Sequence, residues 1–223
     1  MISIIIPTCK RPEILKRMLK SLYETTKGHE IEVIALVDDD IQSAEIVLER
    51  DCILDFSHNR RSVLSLWNKG LTMAHGELIH PAMDDLIYHE NWLEYGIESH
   101  KEKLGGHGLL GFNDLAYNGN TQVATQFMFD IEYCKHYMGG VIAPPDEYKY
   151  LCIDVEINEK AKMNGRFYWD KRAIVEHAHS AHNKRPYDEH DEWKDRNNLS
   201  ELDGEIIEKR RSLGFPITWE SLI

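Results

Sequence analysis

Two adjacent carboxylates, Asp84 and Asp85, follow directly on a short apolar run that ends at Pro81-Ala82-Met83. Hard divalent cations such as magnesium and manganese take oxygen ligands and keep coordination positions open for phosphate oxygens, so such a pair suits a diphosphate held through a cation. Acids are equally favoured at the start of a helix, facing the positive end of its dipole, and taken alone the pair fits either role. Further along, His177 and His179 stand two apart, with His182 close behind. On an extended segment that spacing turns both rings to the same side. Neutral imidazole ligates manganese-like and softer ions, although a chain with 12 histidines also produces close pairs on solvated surfaces. Asp154 and Glu156 open a helical stretch. A carboxylate there can serve as general base toward an attacking hydroxyl, or simply complement the helix dipole.

These side chains need a frame that delivers them to one place, and the hydrophobic pattern supplies it. Residues 2–6 are isoleucine except at Ser3 and stop at Pro7, as a buried parallel strand does on entering a loop. Pro12 opens a helix whose Ile14, Leu15, Met18, Leu19, Leu22 and Tyr23 fall on one face. A second strand, residues 31–37, runs into Asp38, Asp39 and Asp40, and the carboxyl ends of strands are where open α/β sheets bind ligands. Helical patterns over residues 41–50, 62–74 and 91–100 alternate with strand patterns over 52–56 and 77–80, which predicts a parallel sheet with helices on both faces. The second half is less regular. It shows strand patterns over 109–112, 122–129, 167–169 and 173–176, and helical ones over 131–137, 153–163 and 200–213. Gly139-Gly140 and Pro144-Pro145 mark an irregular stretch, and residues 177–198 are too polar for a core.

Composition sets the outer limits. A length of 223 residues suits one well-buried α/β domain. The net charge of −12 opposes strong binding to bulk nucleic acid. The four cysteines, Cys9, Cys52, Cys134 and Cys152, have no C-x-x-C spacing, which argues against a disulfide framework or zinc ribbon and for reduced thiols in the cytoplasm. The apolar start is too short for a signal peptide or a membrane span, and no other stretch approaches transmembrane length, so transmembrane anchoring is not expected.

The order of these features resembles glycosyltransferase family 2 and its GT-A fold. The opening residues 3–12 look like that family's first strand and loop, which wrap the nucleotide; the resemblance places Pro7, Thr8 and Arg11 beside the base and ribose. Val37-Asp38-Asp39 matches the second-strand motif, whose second acid binds the base, so Asp39 inherits that role. Asn68-Lys69-Gly70-Leu71 resembles the helix before the metal motif, which puts Asn68 among the nucleotide-site residues. Met83-Asp84-Asp85 stands at the D-x-D-like element: Asp85 is the implied metal ligand and Asp84 sits at the nucleotide. Ile153-Asp154-Val155-Glu156-Ile157 parallels the family's E-D-x-E-L, with Ile153 in place of the first acid, so the base role falls on Asp154. Glu176-His177-Ala178-His179 resembles an E-H-x-H ending and adds both histidines as metal ligands.

The resemblance covers residues 2–180. It implies an α/β GT-A fold: a single Rossmann-like, open, twisted, mostly parallel sheet flanked by helices, with a short irregular or helical C-terminal extension. A glycosyltransferase domain over 1–180 would divide into a nucleotide-binding half, 1–100, and an acceptor-binding half, 101–180, with 181–223 packing on it. The implied reaction is inverting transfer from a nucleotide-diphosphate sugar, a UDP-sugar as the expected donor, to a hydroxyl of a glycan, small molecule or modified base, assisted by Mn2+ or Mg2+. Arg60 and Arg61, ahead of Lys69, are the candidates to neutralise phosphate. A nucleotidyltransferase of similar fold would need a glycine-rich loop after the first strand, which Pro7-Thr8-Cys9-Lys10-Arg11 does not provide. A noncatalytic nucleotide-sugar-binding module would bind donor without turning it over.

Overall fold

The computed structural model describes residues 1–115, 123–144, 148 and 151–215. The first strand, β1 (Ile2–Thr8), is buried along its whole length. Ile4 and Ile6 enter one core and Ile5 the other, which is why an unbroken apolar run rather than an alternating one marks this strand. Helix α1 (Pro12–Thr25) starts on its proline and buries Leu15, Met18, Leu19 and Leu22. Strand β2 (Ile31–Asp38) pairs parallel to β1. Asp40 then caps α2 (Ile41–Leu48) by accepting from the Ser43 amide, satisfying one of the orphan donors of a helix start. Strand β3 (Ile53–Ser57) follows, and Ser62 caps α3 (Val63–Met73) in the same way. Gly70 lets α3 lie against β1: a Cβ there would fall 2.2 Å from Ile5 Cγ2.

Strand β4 (Leu78–Pro81) pairs parallel to β1 on its other side. The chain then turns through Asp84 and Asp85 into β5 (Leu86–Tyr88), so the acid pair caps no helix; α4 begins later, at Trp92, and runs to Leu104. After β6 (Leu109–Asn113) and β7 (Phe127–Asp130), Asp130 caps a single turn, α5 (Ile131–Tyr133), which widens into a π-helical turn over Cys134–Met138. Helix α6 (Ile153–Met163), strand β8 (Phe167–His177) and helices α7 (Glu189–Arg196) and α8 (Leu199–Ser212) follow among the described residues. The strands form one eight-stranded sheet in the order β3-β2-β1-β4-β7-β6-β8-β5. The pairs at β7, and between β8 and β5, are antiparallel, and the rest are parallel. One core lies between the sheet and α1, α2 and α4, the other between it and α3, α6 and α8.

Four elements differ from the sequence reading. The two short strands expected over 167–169 and 173–176 are one strand, β8, with a register shift beside Phe112 and Asn113; there Arg172 folds back onto Asp170. Strand β5 and helix α7 lie where the sequence suggested no element. The strand expected over 122–129 begins at Phe127, and Gln122 itself lies outside the described residues. Among the described residues no helix is long and apolar enough to cross a membrane, and all four cysteines are free.

Candidate active site

Strands β1, β2 and β4 run parallel, so their carboxyl ends open on one side of the sheet. There the segments after β1 and β4 meet the start of α3 and, from the far end of the chain, α7. They enclose a cleft of about 370 Å³ whose lining includes Pro7, Thr8, Arg11, Asp38, Arg60, Arg61, Asp84, His190 and Trp193. A second cleft of about 300 Å³ shares Arg11, Val63 and Met83 with the first and is lined further by Asp85, Thr125, Gln126, Asp154, His177, His179, Arg185 and Lys194.

Most of the sequence-derived candidates therefore come together. Pro7, Thr8, Arg60, Arg61 and Asp84 sit in the first cleft; Asp85, Asp154, His177 and His179 sit in the second; Arg11 faces both. Two do not join them. Asp39 is exposed and pairs with Lys10 at 2.9 Å, whereas its neighbour Asp38 lines the first cleft, held by Arg61 through Nε and Nη2 at 2.8 and 2.6 Å. Asn68 lies outside both linings because its amide is used within the fold: it accepts from the Ile142 and Ala143 amides and donates to the Ala143 carbonyl.

The ladder between β5 and β8 builds the junction. It sets Leu86 opposite His177, and the Ala178 amide donates to the Asp85 carbonyl at 3.0 Å. This brings His177 Nε2 to 3.2 Å from Asp85 Oδ1. The contact is one of ions rather than an aligned hydrogen bond, since Oδ1 is buried with no hydrogen-bond partner. The other carboxylate oxygen faces Arg11 at 3.8 Å and Arg185 at 3.4 Å. Arg11 also binds Asp84 at 3.1 Å and Asp188 at 3.0 Å, and Thr8 donates to Asp84 at 2.9 Å.

The two adjacent acids are driven apart. Burial pushes the Asp84 carboxyl above the usual range. Burial acts on Asp85 in the same sense, but His177, Arg11 and Arg185 outweigh it and hold that carboxyl well below the range. For His177 the desolvation that would lower its pKa is outweighed by Asp85, with Asp114 and Asp154 adding to the rise. His179 moves the other way, down to about 4, through burial and the charge of Lys194. Its Nδ1 accepts from the Ala181 amide and its Nε2 meets Lys194 at 3.2 Å. Asp154, in the first turn of α6, is raised by burial; its Oδ1 accepts from the Val155 amide at 2.9 Å.

Among the described residues, no three His, Cys, Asp or Glu side chains are gathered to hold a metal by themselves. The pair Asp85 and His177 nonetheless fits a divalent cation that takes its remaining ligands from phosphate and water. The observation is Asp85 Oδ1, a buried anionic oxygen without a hydrogen bond beside an imidazole nitrogen. Native structures rarely leave such an atom bare without a functional cause.

The sequence reading missed the C-terminal wall. Arg185 is buried and pairs with Asp191 through Nη1 at 2.6 Å and Nη2 at 3.1 Å. Asp188 and Asp191 form a capping box at the start of α7, and the Arg60 guanidinium lies 4.1 Å from the centre of the Trp193 ring. The one signal for this helix was the pair of acids three apart, a capping-box spacing; its composition gave none.

The sequence profile of Glycosyl transferase family 2 matches residues 3–109. The matched region includes Asp84 and Asp85 and ends before Asp154 and His177. No curated protein matches the chain. Among solved structures, the mannosyltransferase PcManGT from Pyrobaculum calidifontis, in complex with GDP-Man and Mn2+, superposes with a TM-score of 0.63 at 15% identity, over 78% of this chain and 55% of that one. S. aureus TarS 1-349 gives 0.59 at 14% identity, over 78% and 59%, and its complex with UDP-GlcNAc gives 0.62 at 17%, over 78% and 57%. This chain thus spans a little over half the length of these structures, and at such identities the likeness is one of fold. The family profile thus matches from the first strand into the sixth, over residues 3–109, and the chain shares the GT-A fold of these glycosyltransferase structures over most of its length.

Proposed function

We propose that the protein is an inverting glycosyltransferase that moves a sugar from a nucleotide-diphosphate donor, a UDP-sugar by preference, to an acceptor hydroxyl. The observation that carries this reading is the second cleft, where Asp154 faces the same space as Asp85 and His177 and the cleft continues past Arg11 into the one lined by the ends of β1 and β2. Nucleotide sugars are what PcManGT and TarS hold in the complexes described above, which supports the donor class.

Pro7, Thr8, Arg60, Arg61 and Asp38 would hold the nucleoside, with Asp38 taking the place first expected of Asp39. Asp85 and His177 would hold Mn2+ or Mg2+, whose chemistry there is Lewis-acid stabilisation of the leaving diphosphate. Arg11 and Arg185 add positive charge beside it, buried where water screens it little. Asp154 takes the proton of the acceptor hydroxyl as its oxygen attacks the anomeric carbon, and the bond to the diphosphate oxygen breaks in line with that attack. The raised pKa of Asp154 makes it a stronger base than a free carboxylate. The free thiols suit a reducing compartment such as the cytoplasm.

A thermal-shift screen of UDP- and GDP-sugars with and without Mn2+, followed by assays of transfer and donor hydrolysis, tests the reading. A metal-dependent shift with turnover is expected, and Asp85→Ala should remove the metal-dependent part. Binding without transfer or hydrolysis would instead mark a noncatalytic module.

A further inference from the structure

Among the described residues, the side-chain polar atoms buried without a hydrogen-bond partner are Arg11 Nε, Asp85 Oδ1, Gln126 Oε1 and Tyr133 Oη. The first three belong to residues that line the second cleft. Arg11 and Asp85 have charged partners and a part in the reading above. Gln126 has neither. It is 2% exposed, and its amide oxygen is bare in the cleft that also holds Asp154. A buried acceptor left unpaired is costly and points to a ligand that completes it.

The surroundings of Gln126 are built rather than loose. Its backbone carbonyl accepts from the Phe112 amide at 2.9 Å, which ties it to β6. Thr125 donates to Asp114 at 2.6 Å. Two residues before Gln126, the Ala124 amide donates to Asn158 Oδ1 at 2.8 Å and the Ala124 carbonyl accepts from Asn158 Nδ2 at 3.0 Å; the same Nδ2 donates to the Asp154 carbonyl at 2.8 Å. Asn158, fully buried on α6, therefore fixes the approach to β7 against the turn that carries Asp154. Gln126 and Asp154 are held in register by one side chain.

We propose that Gln126 reads a sugar hydroxyl in the second cleft and so helps to select which sugar reacts. The inference rests on the glycosyltransferase reading. A hydroxyl suits the site because it both donates and accepts, and satisfies the amide in either orientation of its terminal group. A phosphate has acceptors only and would pair with the amide in just one of those orientations. Gln126 also lines the cleft of Asp154 and not the one at the ends of β1 and β2, which places its ligand on the sugar side of the diphosphate. The hydroxyl belongs either to the sugar of the donor or to the acceptor, and the two are separable by experiment.

The test compares wild type with Gln126→Leu, and with Gln126→Met as an unbranched second variant. Calorimetry with Mn2+ gives the affinity for a nucleotide sugar and for the matching nucleotide diphosphate; turnover is measured with a panel of simple glycosides as acceptors; the thermal midpoint is recorded for each protein. A loss of about tenfold or more is expected in a sugar-dependent quantity, with affinity for the bare nucleotide diphosphate unchanged. The midpoint should hold or rise, since the variants remove an unpaired buried amide. A loss in nucleotide-sugar affinity assigns the donor's hydroxyl, and a loss confined to acceptor KM assigns the acceptor's. Sugar-dependent quantities equal to wild type in both variants would overturn the inference, and a lowered midpoint alongside would mark the amide as structural. A wild type that binds no nucleotide diphosphate and consumes no nucleotide sugar would remove the glycosyltransferase reading and this inference with it.

Discussion

Replacing Asp154 by asparagine separates chemistry from binding and should move activity and stability in opposite directions. Asparagine keeps the shape, and its side-chain oxygen can still accept from the Val155 amide as Asp154 Oδ1 does. What it loses is the ability to take a proton. A positioned general base contributes about 10²–10⁴ in rate, which corresponds to roughly 3–5 kcal/mol of barrier at about 1.36 kcal/mol per decade. Binding of the nucleotide part of the donor should hold, because Asp154 lines the second cleft and not the first. Stability should rise at neutral pH. Burial raises the carboxyl's pKa in the folded protein, so the native state keeps its proton to higher pH than the unfolded chain. Wild type accordingly loses stability as pH climbs from the unfolded value of about 3.9 through the folded one, and the variant does not. The assay pairs single-turnover transfer and donor titration with urea unfolding at about pH 7.5 and about pH 3. Transfer within tenfold of wild type, or a variant less stable than wild type at the higher pH, would refute the assignment.

Calorimetric Mn2+ titrations should show His177→Ala weakened by at least about tenfold and His179→Ala unchanged, since the latter ring is engaged by the Ala181 amide and Lys194. Because the pKa of His177 is raised, its proton competes with the metal, and affinity should climb as pH rises through that value; a flat profile would return His177 to the role of ion-pair partner. Asn158→Ala strips partners from the Ala124 amide and carbonyl and should cost about 2–4 kcal/mol in denaturant unfolding, with transfer slowed as Asp154 and Gln126 lose their common brace. Stability within about 0.5 kcal/mol of wild type would mean that the brace is dispensable. Arg210→Met leaves the Glu156 carboxylate, buried on α6, without its two guanidinium bonds of 2.6 and 2.8 Å. The expected loss is about 3–5 kcal/mol, and Glu156→Leu in the same chain should recover much of it.

The elements legible in the sequence were those whose burial is local. Strand β1 shows itself as an isoleucine run because both faces of the sheet are covered, and α1 through the period of Leu15, Met18, Leu19 and Leu22. Strand β5 escaped because three residues carry no pattern, and it exists through its pairing with β8. The polar run Asp170-Lys171-Arg172 read as a break, yet it is an irregularity within β8 at which Arg172 binds Asp170. Helix α7 was invisible for another reason. Its buried residue is Asp191, held by Arg185 and Lys194, so charge pairing rather than an apolar stripe secures it. The same contrast runs through the site: Asp85, Asp154 and His177 stand in recognisable motifs, whereas Arg185 acts through partners that no spacing announces. Asp38 and Asp39 differ by one step in the chain, and the turn after β2 decides which of them faces the cleft.

The bond from Arg11 to Asp188 joins positions 177 residues apart. At a synthesis rate of about 5–20 residues per second, roughly 10–35 seconds separate the appearance of its two ends. The strands β1 to β4 can pair in that interval, but the wall that carries His190 and Trp193 does not yet exist. The first cleft is therefore closed only after the residues of α7 have been made, and its closure reports that synthesis has passed that helix.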